Sequence, residues 1–555
     1  MESWLLTRWP TLAACGLLDS MAGITYAFSL YAPAIQERFS LSQRSIDLIA
    51  TAADSAGFVG VLLGMIYYYC GTRNTLLLAT FITVPAWAGT WLAIVSTDWD
   101  TPYEVLLLLS FFQGFALGLM DVSAVCCVTE NFPERRGQAV GVVKALVGLS
   151  AALVSSGYTG FFKPDVVSYL LFIAFETGFA CLLGAALLNS PKSGEVEAAE
   201  PAMVPGSALS LYADMKLGIA SGWITLLLIV LMGGSLVAPF APWGYFPTYQ
   251  AMSAYVVFIG GLFYIGSTIG VPREPLWAIE MLRETRGNEV LKAASRLDDA
   301  RSAGAARQLL PPPSQPKAPA LSDLLTWRSV ILSLVLFIAI TLPVGAGLMI
   351  INNLNSLHAS RSGILGADPA GFVSLFSASN SAGRILSGIG SDIALSKYNV
   401  PRTIALALST GAFGIAVLLL RLPPPSDSAD VPLYATCLLG GVAYGAYNCL
   451  FPVALSELFA IELLPLVFPL IFGPAFGLGS LLLSTMTYGA NYDKAMERHG
   501  LDPKVDVCVW SLPDCYIPSL HTAAAGCAVS VVLFLLVACG TRGPAGREQA
   551  ARSLI

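Results

Sequence analysis

Apolar residues run along this chain in blocks of about 20, the length that crosses a bilayer as a helix, and no block shows the two-residue alternation of a barrel strand. The blocks fall at 9–31, 46–69, 75–96, 104–129, 137–161 and 166–189, then at 218–240 and 250–271. Six more follow at 329–351, 370–392, 402–421, 432–456, 465–489 and 520–539. The pattern predicts an all-α polytopic membrane protein with about 14 transmembrane helices in a six, two, six order. Residues 1–190 form an N-terminal six-helix bundle, and 191–272 hold a polar linker and the two additional helices. Residues 273–327 form a charged, Pro-rich loop, 328–541 a C-terminal six-helix bundle, and 542–555 a polar tail.

Composition agrees with the pattern. Only 12% of the 555 residues are charged and 55% are hydrophobic, against about a quarter charged in soluble domains. The net charge of −6 sits mostly in loops, and no basic patch with interleaved aromatics points to nucleic acid. Placing the N-terminus in the cytoplasm puts 20 of the 30 Lys and Arg residues in inside loops and termini and 8 outside. The rule that inside loops are positive therefore makes both termini cytoplasmic. The first apolar block lacks a basic leader and a cleavage site, so it is expected to be retained. Segment 276–309 is rich in helix formers and ends at PPPSQPKAPA, which cannot continue a helix. It reads as a cytosolic helix and tether. Nine of the 11 cysteines lie in or beside apolar blocks, whereas Cys508 and Cys515 share one outside loop, where a disulfide is possible.

The chain repeats itself. GFALGLMDVSAVCCVTENF at 114–132 aligns without gaps on GVAYGAYNCLFPVALSELF at 441–459. Gly114 meets Gly441, Gly118 meets Gly445, Asp121 meets Asn448 and Glu130 meets Glu457. A weaker echo joins ADSAG at 53–57 to SNSAG at 379–383, with Asp54 against Asn380. Both echoes fall on equivalent helices of the two six-helix sets, which argues for duplicated halves. Helix packing explains the glycines. It leaves the Asp/Asn and Glu positions unexplained.

Six ionisable side chains lie well inside apolar blocks: Asp19, Asp54, Asp121, Lys144, Glu176 and Arg384. Each costs roughly 2.5–3.5 kcal/mol at a helix centre, so each is a functional candidate. Counted from the tight turn near 132–133, Asp121 and Lys144 lie at nearly the same depth on adjoining helices. They are either a structural ion pair or a cavity pair in which Lys144 binds an anion and Asp121 takes up a proton. Asp19, Asp54 and Asp121 are candidate proton or cation acceptors, and Glu176 is expected to be peripheral. Asn352, Asn353 and Asn355, with Tyr26 and Tyr31, near the outer ends of their helices form a candidate outer gate or hydrogen-bonding wall. His358, His499 and His521 show no ligand spacing with cysteine, and no metal site is expected. No phosphate-cradling loop, metalloprotease motif or catalytic triad occurs. Neither a cofactor nor enzymatic activity is therefore expected.

Six-helix halves joined by a cytosolic loop resemble the major facilitator superfamily, and several stretches resemble its nodulin-like branch. These are YAFSLYAP at 26–33, NFPERRGQAVGVVKALVGLSAAL at 131–153, INNLNSL at 351–357, FVSLFSASNSAGRILSGIGSD at 372–392 and SELFAIE at 456–462. The resemblance implies the major facilitator fold, two six-helix bundles plus two inserted helices. The superfamily pattern G-x3-D-R-x-G-R-R after the second helix reads GMIYYYCGTRN here, with Tyr68 in place of the Asp. Cytoplasmic gating is thereby shifted to Asp392 and to Glu130, Arg135, Arg136 and Glu457. Residues 380–392 are also similar to the D-x3-R-x3-G pattern of monocarboxylate transporters, where the Arg contacts the substrate carboxylate. Arg384 matches that Arg, and Asn380 stands where the titrating Asp would be.

The sequence thus predicts a secondary active transporter working by alternating access on a small organic anion such as a monocarboxylate. Lys144, Arg384, Asp121, Asn448, Asn380, Asn352, Asn353 and Tyr26 are its candidate binding residues. The expected partners are the lipid bilayer, the small-molecule substrate and a co-transported proton or cation. Four acidic groups among the six buried charges leave a cation or metal transporter as an alternative. A membrane sensor or a lipid-moving protein is a further one. The expected location is the plasma membrane or an endomembrane such as the vacuole.

Overall fold

The computed structural model describes residues 2–96, 101–132, 136–189, 208–237, 245–268, 326–365, 367–424, 430–459, 464–502, 506–512 and 514–541, and these contain helices but no strand. In chain order the helices are α1 (Glu2–Ala22), α2 (Phe28–Phe39), α3 (Gln43–Asp54), α4 (Gly60–Val95), α5 (Tyr103–Asn131), α6 (Arg136–Gly157), α7 (Val166–Leu187), α8 (Ala208–Val237) and α9 (Phe246–Gly266). The second half holds α10 (Trp327–Asn352), α11 (Leu354–Ser362), α12 (Ala370–Tyr398), α13 (Arg402–Leu418), α14 (Val431–Ala435), α15 (Gly441–Leu458), α16 (Leu464–Gly479), α17 (Ala490–His499) and α18 (Ile517–Thr541).

Among the described residues, 12 helical stretches are long and apolar enough to cross a membrane, against fourteen expected spans. Two local effects account for the difference. The second and third expected spans share α4, in which Gly71 alone leaves helical geometry, at φ 73°. Only glycine adopts that left-handed region without steric cost, so the sequence breaks the helix there without a loop. The other shortfall is α12, 29 residues long but dotted with Ser, Gly and Asn, whose polar face lies in the seam between the halves.

In the first half α1 packs on α5, α6 and α7, while α4 packs on α5 and α7. In the second half α12 packs on α15, α10 on α16 and α18, and α13 on α15 and α18. The glycines of the repeat sit at these crossings. A Cβ on Gly114 would run into the backbone carbonyl of Ala53, and one on Gly441 would come within 2.6 Å of Phe376 O. The inserted pair α8 and α9 packs on α6, with α9 reaching α1 and α8 reaching α12. Lys216 of α8 is buried over the Trp9 ring, 4.6 Å from its centroid, and donates to Ser267 O.

Two seams join the halves: α3 and Ser55–Val59 against Leu464–Gly489, and α6 against α12. Every hydrogen bond described between the halves lies toward one end of these seams. Ser155 donates to Ala370 O, and Ser377 Oγ accepts from Ala152 N at 3.0 Å. On the other seam Thr51 Oγ1 lies 2.9 Å from both Ser480 Oγ and Thr485 Oγ1. Beyond Lys144 and Arg384, toward the other end, no described hydrogen bond links the halves. The bundle is closed at the Gln43 end.

Arg361 fixes the same end of the second half. Its side chain is fully buried and contacts Asp430 at 2.5 and 2.8 Å, while also donating to Leu420 O and Leu422 O. Removing one partner of such a pair strands a buried charge. Asp430→Ala is expected to cost about 3–5 kcal/mol and to lower the melting temperature in detergent. An unchanged transition would show that the carbonyls alone satisfy the guanidinium. Nearby, Cys508 and Cys515 are buried and joined as a disulfide, which closes the loop between α17 and α18.

Candidate functional site

The charged groups meet at the level of the Arg384–Lys144 hydrogen bond between the halves. Lys144 Nζ of α6 is in direct ion-pair contact with Asp121 Oδ1 of α5, and the two side chains are 32% and 37% exposed. Both are therefore only partly buried. Asp19 of α1 lies behind them, 3.9 Å from Lys144 Nζ and fully buried. Neither of its carboxyl oxygens has a hydrogen-bond partner among the described residues. Two carboxylates thus share one ammonium. On the facing half, Arg384 donates from Nη1 to the Lys144 carbonyl at 3.3 Å and from Nε to Asn380 Oδ1 at 3.1 Å. One cation from each half lies at a single point of contact between the halves.

The remaining candidates divide between this site and the closed end. Asp54 accepts from Asn352 Nδ2 at 3.5 Å across the seam. Asn448 is nearly buried and donates to Tyr444 O at 2.9 Å. The Tyr26 ring packs edge-on against Tyr444 from the facing half, 6.1 Å between centroids. Asn353 is fully buried in the closed seam, accepting from Gln43 Nε2 at 2.8 Å and donating to Ser484 Oγ at 3.0 Å. It therefore belongs to the closure and stands away from the Lys144 cluster.

Of the gating candidates, Glu130 accepts from Tyr67 OH at 3.3 Å, and Glu457 pairs with Arg402 at 2.5 Å. Each of these contacts stays within one half. Arg135 lies outside the described residues, as do the side chains of Arg136 and Asp392. Among the described residues no cluster of His, Cys, Asp and Glu holds metal-binding geometry. His358 packs against the Phe372 ring, and burial holds its pKa below the usual value, so it stays neutral.

Residues that the apolar pattern did not single out build the closure. Asp493 accepts from the backbone N–H groups of Gln43 at 2.8 Å and Arg44 at 3.1 Å. It thereby caps the N-terminus of α3 from the other half of the molecule. Gln43 also donates to Asp47 Oδ1 at 3.1 Å. The one available signal was the polar helix ANYDKAMERH that continues the eleventh apolar block of the six, two, six order beyond the membrane length once the inserted pair is set aside.

Residues 8–203 match the Nodulin-like family model. A probable transporter, MCH1, of Gibberella zeae is 26% identical over 230 residues, covering 35% of this chain and 40% of that protein. The chain thus aligns with about two fifths of that curated relative. Among solved structures, a bacterial homologue of the human lysosomal transporter Spinster, in an inward-facing and unoccupied conformation, is 13% identical. It covers 96% of this chain and 97% of its own, with a TM-score of 0.54. The xylose transporter XylE from E. coli, in an inward-open conformation, is 12% identical over 95% and 94%, with a TM-score of 0.51. PepTSo2, solved as a tetramer, is 12% identical over 97% and 99%, with a TM-score of 0.51. The chain is thus a multi-pass membrane protein that shares the fold of these solved transporters, and its residues 8–203 are similar to the Nodulin-like family.

Proposed function

We propose that the protein is a secondary active transporter of a small organic anion such as a monocarboxylate, working by alternating access. The observation that carries this reading is the convergence of Lys144 and Arg384, one from each half, joined by a hydrogen bond between the halves. An anion held by both cations would bind each half at once, so its presence would bias how the halves sit. That is the differential affinity alternating access requires.

Asp121 supplies the exchange partner. It neutralises Lys144 while the site is empty and is released when a carboxylate replaces it. A released carboxylate beside fully buried Asp19 leaves two like charges together, which favours uptake of a proton. The empty site then keeps its lysine paired, and substrate and proton enter together. Asp54 is a second acceptor on the same face of the closure. With the termini cytoplasmic by the distribution of Lys and Arg, the closed Gln43 end is the outer one and the site opens inward.

A second reading, transport of a cation or metal, is favoured by one observation. Asp19, Asp54 and Asp121 outnumber the two cations. Lys144 already lies against two of the three, which leaves Asp54, bonded to the neutral Asn352 and to no cation among the described residues, as the carboxylate for a metal.

The test is uptake into proteoliposomes. Labelled lactate is expected to accumulate saturably under an inward proton gradient and to exchange with internal lactate. If manganese or zinc accumulates and carboxylates do not, the second reading replaces the first.

A further inference from the structure

Three buried amides of the second half have one unmet polar atom each among the described residues: Asn355 in α11 at the closed end, Asn380 in α12 and Asn448 in α15. Asn380 is fully buried, and Asn448 is 7% exposed. Their orientations are fixed by their own contacts, so the unmet atoms can be identified. Asn380 Oδ1 accepts from Arg384 Nε, which leaves Nδ2, a donor, without a partner among the described residues. Asn448 Nδ2 donates to Tyr444 O, which leaves Oδ1, an acceptor, without one. Buried polar atoms are otherwise almost always paired, and an unpaired one requires a water, an ion or a ligand.

Asn380 and Asn448 stand on helices that pack together, and Asn380 is bonded to Arg384 of the anion site. A Cβ on Gly445, one turn before Asn448, would come within 2.9 Å of Asn380 Oδ1, so α12 and α15 are in contact at this level. Arg384 follows Asn380 by one turn and reaches Lys144 O. The internal repeat aligns Asn380 with Asp54 and Asn448 with Asp121. Asp121 is the partly exposed group on Lys144, and the equivalence puts Asn448 on the matching face of its own half. The duplicated architecture therefore presents carboxylates from the first half and a neutral donor and acceptor from the second.

We infer that Asn380 Nδ2 and Asn448 Oδ1 form a neutral subsite for a hydroxyl group on the anion, making a short hydroxy acid the favoured substrate class over a plain carboxylate. This rests on the anion reading above and sharpens it. The hydroxyl donates to Asn448 Oδ1 and accepts from Asn380 Nδ2, while the carboxylate lies on Lys144 and Arg384. A site built to hydrogen-bond a hydroxyl rejects the analogue lacking it, because its own buried groups are then left unpaired.

Lactate and propanoate, which share charge and chain length, are the probes. Wild-type proteoliposomes are expected to take up lactate at least about tenfold more efficiently than propanoate. In Asn448→Leu that ratio is expected to fall to near one. Asn448→Ser, which keeps an oxygen acceptor, is expected to lie between. The melting transition of each variant establishes that it is folded, and the wild-type ratio needs no variant at all. Equal wild-type uptake of both acids overturns the inference while leaving the anion reading intact, and it would mean that an ordered water holds the two amides. A folded Asn448→Leu protein that keeps the wild-type preference overturns it as well. If neither acid moves, the anion reading fails and this inference falls with it.

Discussion

Lys144→Met is expected to lower anion uptake by about thirty- to several-thousandfold, since truncating one partner of a hydrogen-bonded charge pair costs about 2–5 kcal/mol and each 1.4 kcal/mol is tenfold. The substitution keeps the apolar stem and removes only the ammonium. Two effects then separate. Asp19, fully buried, and Asp121 lose the cation that touches both. Stability therefore falls too, by less than the 3–5 kcal/mol of a wholly buried pair, because Lys144 and Asp121 are about a third exposed. Adding Asp121→Asn removes one stranded carboxylate and is expected to restore much of the melting temperature without restoring uptake. If the single variant transports normally, Lys144 and Asp121 only pin α5 to α6. If the double variant recovers both stability and uptake, the lysine served folding alone.

How far the sequence revealed this site depends on the kind of contact. Asp121 and Lys144 flank one tight turn, so residue counting alone puts them at equal depth, and the structure has them in direct contact. Periodicity and the repeat likewise locate Gly114 and Gly441 at helix crossings. Arg384 was visible as a buried charge. Its bond to the Lys144 carbonyl was not, because it spans 240 positions of chain and depends on how the halves dock. The same limit applies to Asn353. Its place near a helix end reads as an outer wall, whereas docking buries it against Gln43 and Ser484. Asp493 lay beyond the apolar block that ends near 489, in a stretch with the polarity of a loop. Local structure overrides that pattern, since the helical segment runs through Ser480–Gly489 into α17.

The closure at the Gln43 end gives the second large effect, Gly489→Val. A Cβ at position 489 would lie 2.6 Å from Arg44 Cα, 2.7 Å from Asp47 Oδ2 and 3.0 Å from Arg44 N. Two of these contacts are with α3 backbone, which cannot rotate away as a side chain would. Relief requires α3 to move off Ser480–Gly489, and Asp493 then loses the Gln43 and Arg44 N–H groups that it caps. Overpacking costs about 1–3 kcal/mol, and losing the cap adds about 0.5–2. Together they shift the balance between closed and open outer ends by roughly ten- to several-thousandfold. Thr51, buried in the same seam, is a suitable reporter once changed to Cys. Its labelling by a membrane-impermeant maleimide from the Gln43 side is expected to speed up at least about tenfold in Gly489→Val. Asp493→Ala, which removes only the cap, is expected to give a smaller increase. Transport should fall in the glycine variant, because a carrier that cannot close one end cannot complete its cycle. Unchanged labelling together with normal uptake would show that the transporter closes without this backbone approach. Faster labelling with normal uptake would place the slow step of the cycle elsewhere, leaving the Asp493 cap as a latch on the resting state alone.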